Sequence, residues 1–423
     1  MTKIQAIRGM HDILMHETPN WQYIEQSIQN VLDQYNYKEI RLPIIEKTEL
    51  FKHAIGDNTD IVSKEMYSFE DKNNSSITLR PEGTASCVRA GIEHGLFHNK
   101  LQRLWYMGPM FRYEKPQKGR QRQFHQLGVE AFGFKGPDID AEQIMICSRI
   151  WKTLNIKNIK LEINSLGSSE SRLKYRKILV DYFLSKKNDL DEDSLIRLEK
   201  NPLRILDSKN KDMQSLIKNA PPINEYLDSQ STEHFSKLKE ILDHAKIQYD
   251  VNSKLVRGLD YYEKTVYEWK TQELGAQDTL CAGGRYDNLV ETHGAKSTPA
   301  IGFAIGLERL VELSCFEKIS DQTTAHVYLL LSGNNTKKHG LLLAEEIRDK
   351  LPNIKIETNC GEGSLKSQFK RADKSGAQIA LILGEDELEK KQLTVKYLRN
   401  DKPQITIKSQ EISDFLDKSL LIE

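Results

Sequence analysis

Cysteine is scarce and scattered. The five thiols stand at positions 87, 147, 281, 315 and 360, an odd number with no C-x-x-C pair. That excludes a disulfide framework and a zinc knuckle, and it fits reduced thiols in the cytoplasm. No run reaches the roughly 18 apolar residues of a membrane span. The N-terminal MTKIQAIRGMHDIL lacks the apolar core of a secretory leader. Net charge is missing too: 61 Lys+Arg balance 61 Asp+Glu. A surface built throughout to hold polyanions is therefore disfavoured, although a local basic patch is not. There is no G-x-x-x-x-G-K-[ST] phosphate loop, no G-x-S-x-G elbow and no H-E-x-x-H. The 11 histidines show no ligand spacing, so no structural metal is expected.

What is present suffices for folded domains. Hydrophobic residues are 38% and charged residues 29% of 423, and that length suggests roughly two to three domains at about 150 residues each. Trp21, Ile24, Ile28, Val31, Leu32 and Tyr35 recur at helical spacing. Ile40, Leu42 and Ile44 then alternate, which predicts a strand broken at Pro43 and placed at a sheet edge. Between 66 and 135 the segments MYSFED, SITLRP, LWYMGPMFRYE and RQFHQLGVEAFGF predict an antiparallel sheet. A helix is expected from about 139 to 154. Residues 170–247 are rich in Leu, Lys, Asp and Glu and read as a helical insertion. Strand signals return over 251–286, and a Gly-punctuated segment then ends in a helix, AIGFAIGLERLVELS. DQTTAH (321–326) resembles a linker. Beyond it, alternating strands and helices predict a small α/β domain.

Five constellations can carry chemistry. Residues 103–125 gather Arg103, Arg112, Lys115, Lys118, Arg120 and Arg122 around Phe111, Tyr113 and Phe124. Guanidinium forks grip phosphate oxygens and rings stack on bases, so this hairpin suits a nucleotide; a solvated basic hairpin is the plainer alternative. The turn RPEGT (80–84) offers one carboxylate and one hydroxyl near backbone amides, able to hold an ammonium group. It also fits an ordinary turn with Thr84 capping a helix. RGLDYY (257–262) packs an Arg, an Asp and two Tyr into six residues, as a pocket wall or as a charged-aromatic strand with core tyrosines. AGGRYD (282–287) and GFAIGLER (302–309) carry glycines that permit close backbone approach by a ligand or a tight strand–helix junction.

In combination these segments resemble the bacterial histidyl-tRNA synthetases, a family of class II aminoacyl-tRNA synthetases, over essentially the whole chain. FRYE (111–114) resembles the second class motif and GFAIGLER the third, ending in Arg309. The helix at 20–36 with its strand resembles the first, dimer-forming motif, and RGLDYY and AGGRYD resemble signatures of the histidine enzymes. The resemblance implies an α+β fold: an antiparallel-sheet class II catalytic core with a helical insertion, followed by a small α/β C-terminal domain. The implied parts are 1–169 and 248–320 for the core, 170–247 for the insertion and 326–423 for an anticodon-binding domain.

It also implies a histidine–tRNA ligase, which activates L-histidine with ATP and Mg²⁺ and transfers it to the 3′ end of histidine tRNA, as a cytoplasmic homodimer with no membrane association. Arg112 and Arg257 are implied as the catalytic pair flanking the α-phosphate. ATP falls to Arg112, Glu114, Arg120, Phe124 and Arg309. Histidine falls to Glu82, Gly83, Thr84, Arg112, Gln126, Glu130, Arg257, Tyr261 and Tyr262, with Glu130 and Tyr262 meeting the imidazole. Lys115 and Gln117, at the hairpin tip, are implied to contact an extra 5′ guanosine of the tRNA. Lys115 stands where an arginine is the expected pattern, keeping the charge but not the fork. A non-catalytic relative, the histidine-sensing regulatory subunit of ATP phosphoribosyltransferase, is the alternative.

Overall fold

The computed structural model describes residues 3–56, 59–116, 119–274, 278–314 and 324–420. They form two compact units, Met1–Phe316 and Glu317–Glu423.

The first unit is built on an eight-stranded sheet. Its spatial order is Lys38–Glu39, Gln102–Phe111, Gln123–Phe132, Ala300–Gly306, Thr279–Arg285, Glu263–Thr271, Ile159–Ser165 and Asp250–Val251. The six inner strands pair antiparallel, and only the two short edge strands pair parallel. Side-chain alternation sorts the two faces. Leu127, Val129, Ala131, Ile301, Phe303 and Ile305 all point into one apolar core. That core is closed by the helices Thr18–Gln34, Pro137–Thr153 and Ser229–His244. The intervening positions, Gln126, Glu130, Gly302 and Ala304, therefore face the opposite side. There the helices Thr48–Ile55, Thr84–Glu93 and the insertion pack around a second core with Leu104, Tyr106, Phe132 and Tyr286.

Several segments depart from the sequence expectation. The strand expected over Ile40, Leu42 and Ile44 is absent as one piece. Ladder pairing stops at Glu39 and resumes at Ile45–Lys47 in a separate three-stranded sheet with Ser76–Leu79 and Tyr67–Glu70. Pro43 lacks an N–H to continue a ladder. Instead the Arg80 guanidinium bonds the Leu42 carbonyl at 2.9 Å and the Pro43 carbonyl at 3.4 Å, so a side chain spans the gap between the sheets. In AIGFAIGLERLVELS the first half is the strand Ala300–Gly306, and only Leu307–Leu313 is helical. Between Ser169 and His244 every regular element is an α or 3-10 helix. Its last helix, Ser229–His244, belongs to the layer behind the main sheet, with Phe235, Leu238 and Leu242 in the first core. There the His234 ring sits 2.8 Å from the Asp140 carboxylate.

The second unit has a five-stranded sheet in the order Ile356–Thr358, Val327–Ser332, Ile379–Gly384, Gln392–Tyr397, Ile405–Lys408. The first three strands are parallel and the last two antiparallel. Helices Thr336–Lys350, Leu365–Lys374 and Ile412–Leu420 contribute Ala344, Ile347, Ala372 and Leu416 to its cores.

Candidate active site

A cavity of about 420 Å³ lies on the face of the main sheet away from the three-helix layer. Its floor is made of small residues: Ala282, Gly302, Ala304 and Gly306. These come from adjacent strands in register, with Ala282 opposite Ala304 and Gly302 opposite Glu130. Large side chains there would fill the cavity, which gives the glycines of GFAIGLER their physical reason; Gly283 and Gly284 of AGGRYD line no part of it and instead make room for Tyr267, Phe303 and Tyr262. Around the floor stand Glu82, Thr84, Arg112, Glu114, Arg120, Phe124, Gln126, Arg257, Tyr261, Tyr262 and Arg309. Eleven residues singled out from four separate segments thus converge on one space.

One end of the site is a buried carboxylate cluster. Glu130 is 1% exposed. Its Oε1 accepts the Thr84 hydroxyl at 2.8 Å and the Tyr106 hydroxyl at 2.9 Å, and its Oε2 accepts the Tyr286 hydroxyl. Burial pushes its pKa up to about 8, against the pull of the three hydroxyls. Glu82 is buried beside it, and its carboxylate accepts the N–H of Thr84 at 2.7 Å and of Ala85 at 2.9 Å. Burial raises this pKa too, while the two amides oppose the rise. Glu82, rather than Thr84, therefore caps the helix Thr84–Glu93. Thr84 is its first helical residue and spends its hydroxyl on Glu130. Gly83 lies beneath the cavity, not on its wall. A Cβ there would come within 2.1 Å of the Tyr106 ring, so only glycine lets turn and ring meet. Tyr261, Tyr262 and Tyr286 pack together above Glu130, with ring centroids 4.6 Å apart for the first two and 5.5 Å for Tyr261 and Tyr286.

The other end is cationic. Arg112 donates to the Pro81 carbonyl at 2.9 Å, with its guanidinium 5.2 Å from the Phe124 ring centre. Arg120 pairs with Glu114 at 3.1 Å. Arg309 donates to the Gly119 carbonyl at 3.3 Å and to the Thr279 carbonyl. Burial and the nearby Arg120 and Arg112 lower the Arg309 pKa, a sign that the three guanidinium groups repel one another across a shared space. Arg257 is paired with Glu268 and lies 5.7 Å from the Tyr262 ring centre. Such a place favours an anion that three or four fixed cations can share.

One expected tRNA contact stands apart from this site. Lys115 is exposed and does not line the cavity. Gln117 lies outside the described residues. Other participants went unremarked in the sequence. Tyr106 and Tyr286 hold Glu130, Glu268 holds Arg257, and Asp207 and Lys209 of the helical insertion line the cavity. Only Tyr286 had a visible signal, because it lies inside AGGRYD.

Residues 9–310 match the family described as histidyl-tRNA synthetase, and residues 326–419 match the anticodon binding domain. The chain belongs to the histidyl-tRNA synthetase family. It is 55% identical to a histidine–tRNA ligase of Hydrogenovibrio crunogenus over 419 residues, 99% of this chain and 98% of that protein. The apo histidyl-tRNA synthetase of S. aureus superposes with a TM-score of 0.81 at 34% identity, covering 98% of this chain and 100% of that one. A Bacillus halodurans protein described as an ATP phosphoribosyltransferase regulatory subunit/histidyl-tRNA synthetase shares the fold at a TM-score of 0.64 and 20% identity, covering 90% of this chain and 97% of that one. The α+β core and the α/β C-terminal domain are those of a histidyl-tRNA synthetase of class II.

Proposed function

We propose that this chain is a histidine–tRNA ligase that forms histidyl-adenylate from L-histidine and ATP, then transfers histidine to the 3′ end of histidine tRNA. The observation that carries this reading is one cavity walled by Glu82, Thr84 and Tyr262 at one end and by Arg112, Arg120, Arg257 and Arg309 at the other, with Glu130 buried behind the wall and bonded to Thr84. A buried carboxylate among hydroxyls matches the N–H groups of an imidazole, and the arginines match phosphates. The full-length relatedness to a histidine–tRNA ligase supports the same conclusion and disfavours the regulatory-subunit alternative.

In activation, a carboxylate oxygen of histidine attacks the α-phosphorus of ATP and pyrophosphate leaves. Negative charge grows on the phosphate oxygens, and pre-placed cations in a desolvated cavity stabilise it without reorganising. Arg112 and Arg257 flank that phosphate, and Arg120 and Arg309 hold the distal ones. Phe124 and Arg309 enclose the adenine, with Glu114 at its edge. Glu82, Thr84 and Gln126 take the α-ammonium group. Glu130 and Tyr262 meet the ring nitrogens, Tyr261 shapes the wall, and Gly83 lets the turn beneath it pack on Tyr106. Among the described residues no group of three or more His, Cys, Asp or Glu is disposed to hold a metal. That composition fits Mg²⁺ carried on the nucleotide's own phosphates, where it neutralises charge. A site that hydrogen-bonds a polar ring rejects apolar analogues by about 10⁴–10⁵.

For the tRNA, residues 326–423 read the anticodon, the insertion at 170–247 clamps the acceptor stem, and Lys115 and Gln117 touch the 5′ guanosine. The exposed apolar side chains Ile4, Ile7 and Met15 support burial in a homodimer. No helix among the described residues is long and apolar enough to cross a membrane, and we place the ligase in the cytoplasm with its tRNA.

The decisive test is amino-acid-dependent exchange of labelled pyrophosphate into ATP. Exchange with histidine alone is expected. Histidine binding without exchange would instead favour the regulatory subunit.

A further inference from the structure

The loop 257–262 carries Arg257, Tyr261 and Tyr262, yet between Val251 and Glu263 no strand ladder supports it. Its backbone must be held by something else. The side chains that hold it come from the helical insertion. Arg204, in the 3-10 turn Pro202–Asp207, donates one guanidinium nitrogen to the Gly258 carbonyl and another to Asp60 Oδ2 at 3.2 Å. Asn201 donates to Asp260 Oδ1 at 2.7 Å. Arg172, on helix Ser169–Leu184, donates to the Tyr262 carbonyl at 2.5 Å. The attachment continues below in apolar contact, where Leu255, Val256 and Tyr262 share one core with Leu179, Leu198, Ile205 and Leu206. On its far side the loop is tied to the core by the Asp260 N–H, 3.3 Å from the Ile55 carbonyl. The same stretch of the insertion then sends Asp207 and Lys209 into the cavity wall.

We infer that the helical insertion is a positioning device for amino-acid activation, with Arg204 as its principal contact, and that adenylate formation depends on it before any tRNA binds. This rests on the ligase reading and extends it. An acceptor-stem clamp needs no bonds to the histidine loop, whereas three bonds to successive parts of that loop fix where Arg257 and the two tyrosines stand. Arg204 touches neither reactant; it acts through Gly258 and Asp60. Its fork is suited to two divergent acceptors, which a lysine cannot serve together.

The test is pyrophosphate exchange without tRNA, using the full chain and the variants Arg204→Ala, Arg204→Lys and Asn201→Ala. Wild-type exchange with histidine first establishes the ligase reading independently. Loss of a charged hydrogen bond of this kind corresponds to about tenfold or more, so Arg204→Ala should lower kcat/KM for histidine by at least that factor. The KM for ATP should stay within about twofold, because Arg112, Arg120 and Arg309, which hold the nucleotide, lie on other elements; the part played by Arg257 at the α-phosphate belongs to the activation step and reads out in kcat. Arg204→Lys should recover part of the loss. Asn201→Ala, at an exposed contact, should raise the histidine KM a few-fold with an unchanged Tm. Unchanged exchange in Arg204→Ala, with only tRNA charging impaired, would overturn the inference. So would parallel losses for histidine and ATP accompanied by a fall in Tm. Should Arg204→Ala not fold, an unaltered histidine KM in Asn201→Ala overturns it equally.

Discussion

Glu308 closes on His125 with both carboxylate oxygens. The His125 backbone N–H lies 2.8 Å from Oε1 and 3.1 Å from Oε2, and the ring Nδ1 lies 3.0 Å from Oε1. Pairing between Ala300–Gly306 and Gln123–Phe132 ends at Gly306 opposite Gln126, because the chain turns into a helix at Leu307. The next ladder position, at His125, would lose its acceptor. The Glu308 side chain takes that position. The Trp21 ring braces the histidine edge-on at 5.1 Å between centroids. The bond therefore joins the residue before Arg309 to the residue after Phe124, the two groups proposed to enclose the adenine.

Glu308→Ala should accordingly raise the KM for ATP. A lost hydrogen bond to a charged group is worth about 1.5–3 kcal/mol, so tenfold or more is expected, with the histidine KM little changed. Glu308→Gln keeps one acceptor oxygen and should fall between. Initial rates with each substrate varied in turn check this. Equal effects on both substrates would show that the bond supports the sheet in general and not the nucleotide end.

Gly302 predicts a sharper loss at the other end. A Cβ on it would lie 1.6 Å from Glu130 Oε2 and 2.9 Å from the Val129 carbonyl. Glu130 cannot move aside without breaking its bonds from Thr84, Tyr106 and Tyr286. Displacement of a reacting or binding group by about 1 Å costs on the order of 10²-fold, and Gly302→Ala should lose at least that in exchange with histidine. Binding of ATP alone, followed by calorimetry, should survive.

The parts of this protein that were legible in its sequence are those governed by periodicity and by contiguous motifs. Alternation across Leu127–Phe132 places Glu130 on the face opposite the first core, and the strand–helix alternation after His326 delivers the C-terminal sheet. The segment around Pro43 misled because apolar alternation is silent about hydrogen-bond partners, and Arg80 supplies them from 38 residues away. The Glu130 cluster was half visible. Thr84, Tyr106, Glu130 and Tyr286 come from four elements, and no spacing rule links positions 84, 106 and 286. The insertion's hold on the histidine loop was invisible for the same reason, since Arg204 and Asn201 lie in a stretch whose composition announces only helix.

Arg285 illustrates a motif whose charged member is structural. AGGRYD is singled out in the sequence for its glycines, and the arginine among them has a fully buried side chain. It bonds Asp140 at 2.9 Å, Asp287 at 2.8 Å and the carbonyls of Phe134 and Gly136 at 2.9 and 2.8 Å. These contacts fix the end of the strand from which Tyr286 reaches Glu130. Arg285→Met should therefore destabilise the protein by about 3–5 kcal/mol, because it leaves Asp140 buried without its main partner. Denaturant unfolding of the first unit measures this. A loss below 1 kcal/mol would mean that His234, 2.8 Å from Asp140, suffices to hold the carboxylate.

The pKa of Glu130 makes histidine recognition depend on pH in a defined way. Its ordinary value of 4.5 is pushed up to about 8 by burial, with Glu82 adding repulsion and the three hydroxyls opposing. The imidazole of free histidine titrates near 6.5. Between about 6.5 and 8, free enzyme carries the proton on Glu130 and free histidine is neutral. If carboxyl and ring share one proton in the complex, binding neither takes up nor releases any, and the histidine KM should be flat. Below that window the ring's extra proton must leave, and above it a proton must be taken up. The KM should rise on both sides, by up to tenfold per pH unit. Glu130→Gln cannot ionise and should lose the alkaline limb while keeping the acid one. The same shift acts on stability. The folded state holds a proton that the unfolded chain has lost above 4.5. The contribution is therefore complete below that pH and is lost as pH rises through about 8. Relative to wild type, Glu130→Gln should gain in Tm across that rise, and parallel Tm profiles for the two proteins would place the proton elsewhere.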